Sequence, residues 1–135
     1  MSYLLDTNVV SELSKAKADP KLLVWFASVK SHELYLSVLV LGEIRQGIER
    51  LRDRDPGQAQ VYENWLATLE RDFSDRILAT NSQVADVWGS LNARDPLPVV
   101  DGLLAATALV HDLSLVTRNV SDVARTGVKL LNPFA

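Results

Sequence analysis

Apolar residues in this chain follow two alternating patterns. The first is a set of short continuous runs: Tyr3-Leu4-Leu5, Leu34-Tyr35-Leu36, Ile77-Leu78-Ala79, Leu115-Val116 and Val128-Lys129-Leu130-Leu131. The second fills the intervals with helical spacing. Asp19-Pro20 pairs an N-cap with a first-turn proline and leads into Leu22, Leu23, Trp25, Phe26 and Val29. Leu41, Ile44, Ile48 and Leu51 form one stripe, and Val61, Tyr62, Trp65, Leu66 and Leu69 form another after Asp55-Pro56-Gly57. Thr80 is the expected cap of a helix carrying Val84, Val87, Trp88 and Leu91. Pro98 opens the last long helix, Val99 to about Val110. Buried strands alternating with helices predict an α/β fold with a parallel sheet covered on both faces. Functional groups of such sheets collect beyond the carboxyl ends of the strands.

Length and composition narrow the possibilities. A chain of 135 residues with 47% hydrophobic and 23% charged positions fits one globular domain, expected to span 1–135. No apolar run approaches the roughly 20 residues of a membrane helix. The first residues lack the basic flank of a signal peptide, so the expected location is cytoplasmic. With no cysteine and only two histidines, His32 and His111, any metal chemistry falls to carboxylates. A formal net charge of −3 argues against nucleic-acid binding by bulk basicity.

Four acidic positions stand out. Asp101 is the only ionisable residue between Leu97 and Val110. A lone carboxylate in an otherwise apolar helix is costly to bury, and Ala105 and Ala108 on the same face are expected to leave space before it. A first-turn acid favoured by the helix dipole is the ordinary alternative. Asp6 ends the first apolar run and is itself well suited to a turn or cap; Thr7 and Asn8 can supply the cap of the following helix just as well, which would leave the Asp6 carboxylate free to point into the crevice. Glu43 flanks the Leu41–Leu51 stripe, with Gly47 one turn on. Asn119 and Asp122 follow the fourth run, where a loop cap competes with a metal or water-orienting role. Gathered together, Asp6, Glu43 and Asp101 would repel one another. A hard divalent cation, Mg²⁺ or Mn²⁺, would relieve the conflict and suit phosphodiester hydrolysis.

Four segments, in order, carry a family resemblance: Leu4-Leu5-Asp6-Thr7-Asn8-Val9-Val10-Ser11-Glu12, Ser37 to Ile48 around Gly42-Glu43, Asp101-Gly102-Leu103-Leu104-Ala105-Ala106-Thr107-Ala108, and Thr117-Arg118-Asn119-Val120-Ser121-Asp122. They resemble the PIN domain, and more closely the VapC and FitB branch of toxin–antitoxin ribonucleases, whose ending is similar to Val128 through Phe134. The resemblance covers nearly the whole chain. It implies a three-layer α/β/α fold and a Mg²⁺- or Mn²⁺-dependent endoribonuclease. It makes Asp6 and Asp101 metal ligands and Glu43 a ligand or water-orienting group. Thr7, Asn8 and Thr117 become supporting residues, with Thr7 behind the first aspartate. Many PIN domains have aspartate where this chain has Asn119, with Asp122 following. The family further implies a homodimer and a neutralising antitoxin encoded beside it.

Grip on an RNA substrate has to come from local cations. Arg118 beside the strand end and Arg45 on the Glu43 helix are the candidate substrate-binding residues, although Glu49, Asp53 and Asp55 interleave the arginines around Arg45. The aromatic residues Trp25, Trp65, Trp88, Tyr62 and Phe73 fall on apolar stripes, with Tyr62 and Trp65 candidates for a partner surface. Two rivals remain: a catalytically silent PIN-like interaction module, and a receiver-type phosphoacceptor domain. The latter wants an acidic pair after its first strand and an aspartate where Ala79-Thr80 stand.

Overall fold

Each apolar run becomes a strand in the computed structural model, which describes residues 1–135. The strands are β1 (Tyr3–Leu5), β2 (Leu34–Ser37), β3 (Ile77–Leu78), β4 (Ser114–Val116) and β5 (Leu130–Leu131). They form one sheet in the order β3-β2-β1-β4-β5, with every pair parallel. The helices are α1 (Thr7–Leu13), α2 (Pro20–Ser28), α3 (Val38–Arg52), α4 (Pro56–Asp72), α5 (Ser82–Asn92), α6 (Val99–Val110) and α7 (Val120–Val123).

The strand order dictates where chemistry can sit. From β1 the chain moves outward to β2 and β3, then crosses back to β4 on the other side of β1. Right-handed crossovers therefore put α1 to α4 on one face and α5 to α7 on the other. Helix packing agrees: α1 meets α2 and α3, α3 meets α4, and α6 meets α5 and α7. The reversal leaves a crevice beyond the carboxyl ends of β1 and β4, the usual ligand position in open parallel sheets. The order also differs from the 2-1-3-4-5 arrangement of receiver-like folds, which removes that rival.

Both faces of the central strands are covered. Leu4, Leu5, Leu36, Leu115 and Val116 are buried in a cluster of 20 core residues that includes Val9, Val40, Ile44 and Leu104. The expected cap Asp19 accepts main-chain N–H groups of α2, and Asp55 does the same for α4. Three local expectations need correcting. Asn81, not Thr80, caps α5: its side chain accepts the Val84 N–H, three residues on, while the buried Thr80 hydroxyl has no partner. The last strand begins only at Leu130, with Val128 buried ahead of the ladder. Ala105 and Ala108 are packed into the core and open no space at Asp101.

An ion-pair network fastens α3 to α4. Arg45 makes a two-pronged contact with Glu63 at 2.6 and 2.5 Å and reaches Glu49 at 3.1 Å, while Arg52 meets both acids at 3.0 Å. Hydrogen bonds from Arg45, helped by charge from both arginines, hold the Glu63 carboxyl down at about 2. A depressed carboxyl stabilises the fold above its ordinary value, near 4.3, and loses that contribution as pH falls through about 2. Glu63→Gln is therefore expected to lower the melting temperature at pH 7, with the difference closing near pH 2. Thermal melts at the two pH values check this; a gap persisting at low pH would refute an ionic origin.

Candidate active site

Asp6 sits one residue beyond β1, in the crevice. Its N–H donates to the Val116 carbonyl at 2.9 Å, extending the β1–β4 ladder by one bond. Only 8% of its surface is exposed, so both carboxylate oxygens need partners. Oδ1 accepts the Thr7 N–H at 2.6 Å, which makes Asp6, of the three residues able to do so, the cap of α1. Oδ2 accepts the Thr117 hydroxyl at 2.6 Å and the Asn8 amide at 3.3 Å. Capping and site formation are thus done by different oxygens of one side chain.

Thr117 is the counterpart at the end of β4 and is fully buried. Its hydroxyl donates to Asp6 and accepts the Asn119 N–H at 3.1 Å, with the Asn8 amide at 3.4 Å. Asn8 returns its own carbonyl to the Arg118 N–H at 3.4 Å. The polar lattice Asp6–Asn8–Thr117 therefore ties the first strand end to the fourth.

Glu43 arrives from α3. Ser37, buried at the end of β2, accepts the Leu39 N–H and so sets the start of that helix. One turn and a half later Glu43 Oε1 accepts the Thr7 hydroxyl at 2.5 Å. Thr7 thus supports Asp6 through its main chain and Glu43 through its side chain. The family resemblance implies support of the first aspartate by Thr7; here that contact is made by the Thr7 main chain.

Asp101 lies in the first turn of α6, after Pro98, which offers no side-chain cap. Its carboxyl is pushed above the usual range, chiefly by burial and further by the charges of Asp6, Glu43 and Asp122. Burial and like charge outweigh the helix dipole, which would act in the opposite direction. Asp101 therefore lies within electrostatic range of Asp6, Glu43 and Asp122. Asn119 and Asp122 are both exposed; Asp122 contributes charge at Asp101, whereas Asn119 is held through its main chain.

The donor set suits a hard cation: oxygens only, in a crevice where the acids repel one another. No three acids close into a ready-made cage. That arrangement matches an ion that keeps most of its waters and takes one or two carboxylates from the protein.

Beside Glu43 and Thr7 opens a cleft of about 300 Å³ that runs past Gly47 and Leu51 to Tyr62 and Trp65. Those two aromatic rings pack edge to face at 6.4 Å. Of the two candidate basic contacts, Arg45 is consumed by Glu63 and Glu49. Arg118 has its guanidinium carbon 3.9 Å above the Phe134 ring and 52% of its side chain exposed. Sequence reasoning gave no role to Phe134, nor to Glu12, which lies 3.9 Å from Arg118. The similarity of the chain's ending to the family was the one available signal for Phe134.

Comparison with known proteins bears on this geometry directly. The PIN domain family model matches residues 3–128. The toxin FitB of Neisseria gonorrhoeae is 27% identical over 136 residues, covering 97% of both chains. The VapC ribonuclease Y4jK of Sinorhizobium fredii is 29% identical over 138 residues, covering 97% of this chain and 96% of its own. The crystal structure of FitAcB from Neisseria gonorrhoeae superposes with a TM-score of 0.90 at 28% identity over 98% of each chain. The chain belongs to the PIN domain family. Nucleases of this family are in general dependent on a divalent metal.

Proposed function

We propose that this PIN-domain protein is an endoribonuclease, the toxin of a toxin–antitoxin pair, and uses Mg²⁺ or Mn²⁺ to hydrolyse RNA phosphodiester bonds. The observation carrying this reading is the meeting of Asp6 and Glu43 at the mouth of the β1–β4 crevice, both held by Thr7, with Asp101 within range of their charges. The relatives named as a toxin and a VapC ribonuclease, matched over nearly the full length, support the same reading.

Asp6 and Asp101 would hold the ion, with Glu43 as a further ligand or the group facing the attacking water. The bound metal would polarise the scissile phosphate and make a nearby water more acidic. Thr7 occupies Glu43 Oε1, leaving Oε2 to orient that water and accept its proton. Thr117 and Asn8 keep the Asp6 carboxylate from rotating out of the crevice. Asn119 or Asp122 occupies the fourth position of the motif, and Arg118 meets substrate phosphate. The pairing of Arg45 with Glu63 argues for a structural role there in place of the substrate contact.

Attack by water needs no ribose 2′-hydroxyl. The enzyme is therefore expected to cut an RNA oligonucleotide carrying a 2′-deoxy residue at the scissile position. Cleavage is expected to stop in EDTA and return on adding Mg²⁺ or Mn²⁺; activity that survives chelation would refute the reading. Growth arrest that persists in Asp6→Ala would instead favour a silent interaction module.

The remaining parts of the proposal are a single domain over residues 1–135, a homodimer, a cognate antitoxin and action in the cytoplasm, where the RNA is. The FitAB complex bound to a DNA fragment, at a TM-score of 0.90 and 26% identity, supports the antitoxin. Val24, Val61 and Val99 offer exposed apolar area for association. No helix is long and apolar enough to cross a membrane.

A further inference from the structure

The arginines of this chain differ in what holds them and in what they have left to give. Arg45 and Arg52 spend their donors on Glu49 and Glu63. Arg76 spends its donors on the main-chain carbonyls of Ser31, Leu34 and Asp72. Arg50, Arg54 and Arg94 have donors to spare, but no ion pair or ring holds them. Arg118 combines both properties. Its guanidinium is stacked on Phe134 at 3.9 Å, yet none of its side-chain N–H groups makes a hydrogen bond.

Glu12 forms a long ion pair with Arg118 but takes no hydrogen bond from it. It already accepts Lys15 Nζ at 2.9 Å and the Asp19 N–H at 3.0 Å, and stands 3.9 Å from Arg118, beyond hydrogen-bond range. A stacked guanidinium is fixed in plane while its rim of donors stays open, which suits a phosphate oxygen. Its position is equally specific. Arg118 follows Thr117, whose hydroxyl touches Asp6, and its own N–H is tethered to Asn8. Glu12 is six residues along α1 from Asp6, or about 9 Å at 1.5 Å per residue. The guanidinium therefore flanks the acidic crevice without entering it.

Phe134 is in turn well anchored. It packs against the core, follows the buried Pro133, and its N–H donates to Asn132 Oδ1 at 2.9 Å. We propose that Arg118 binds a phosphate neighbouring the scissile one, and that Phe134 is the positioning residue that holds it there. The proposal rests on the ribonuclease reading and adds to it the chain's carboxyl-terminal segment as part of the substrate-binding surface.

The test uses the full chain with a labelled single-stranded RNA, measuring KM, kcat and the salt dependence of binding. Arg118→Ala is expected to raise KM about tenfold and to reduce the slope of log affinity against log salt by about one. Phe134→Leu is expected to raise KM roughly threefold to fivefold through lost stacking, with kcat within twofold of wild type. Phe134→Tyr restores KM, because the ring is retained. Arg118→Lys recovers the salt slope without the full affinity, because an ammonium is a point charge with no planar fork. In the Arg118→Ala background Phe134→Leu should have no further effect on KM, a coupling that loss of packing alone would not produce. Wild type that cuts RNA, with KM unmoved by Arg118→Ala or with equal Phe134→Leu effects in both backgrounds, overturns this inference and leaves the ribonuclease reading standing. Wild type that neither cuts nor binds RNA overturns both.

Discussion

Asp101→Asn is expected to abolish RNA cleavage and, in metal-free buffer at pH 7, to raise the melting temperature. The two effects share one cause. The Asp101 carboxyl is held above its ordinary range by burial and by Asp6, Glu43 and Asp122. A carboxyl raised on folding contributes stability that is fully present below its unfolded value, near 3.9, and lost as pH rises through the folded value. At pH 7 the ionised group is therefore a burden on the fold. Asparagine keeps its shape and removes the charge, so the variant gains stability at neutral pH and the gain vanishes below about pH 4. On the proposed assignment of Asp101 to the cation, a neutral amide in its place weakens the hold on the metal and cleavage falls to background. A divalent cation relieves the same repulsion, so Mg²⁺ should raise the melting temperature of wild type more than that of the variant. Wild-type activity in Asp101→Asn, or a variant less stable than wild type at pH 7 without metal, would contradict the account.

Gly102→Ala is expected to damage both fold and site through a contact of ordinary size. Gly102 is buried where α6 crosses α5. A Cβ there would lie 2.9 Å from Asn92 Nδ2 and 3.1 Å from Cδ1 and Nε1 of Trp88. Asn92 cannot retreat easily. The Asn92 amide donates to the Trp88 carbonyl at 2.8 Å and its Oδ1 accepts the Leu97 N–H at 2.7 Å, clamping the α5–α6 connection. Overpacking of this kind costs about 1–3 kcal/mol, a melting shift of roughly 3–11 °C in a domain of this length. The adjacent residue is Asp101, so the helix can make room only by carrying that carboxylate with it. Cleavage should fall further than the folded fraction alone requires. Gly89→Ala, also in α5 but with nothing within 4 Å of the added carbon, is the control. It is expected to stabilise the helix by up to about 1 kcal/mol. Equal melting temperatures for the two variants would remove the close-approach argument.

Much of the architecture was legible because period and punctuation agreed. The apolar runs were too short and continuous for helices, and Asp19-Pro20 and Asp55-Pro56 marked starts that the chain uses. Boundaries failed where two polar residues competed, as at Thr80 and Asn81, since only geometry decides which oxygen reaches the third N–H of the helix. Strand order was not readable: nothing local near Pro98 or Leu113 says that the chain will recross the sheet to lie beside β1. The site was half legible. Chemistry singled out Asp101 from its apolar surroundings, whereas Asp6, Thr7 and Asn8 were all able to cap α1 and only geometry decides among them. The link from the Thr7 hydroxyl to Glu43 spans 36 positions and has no signal in the local pattern. The Arg118–Phe134 stack joins residues 16 positions apart with no periodic signal, and was visible only in three dimensions.

The hydroxyl that steadies the first carboxylate belongs to Thr117, immediately after β4 and 111 positions along the chain from Asp6. A fragment ending before that residue would lack both this hydroxyl and the Val116 carbonyl bond, and would orient Asp6 by its neighbours Thr7 and Asn8 alone.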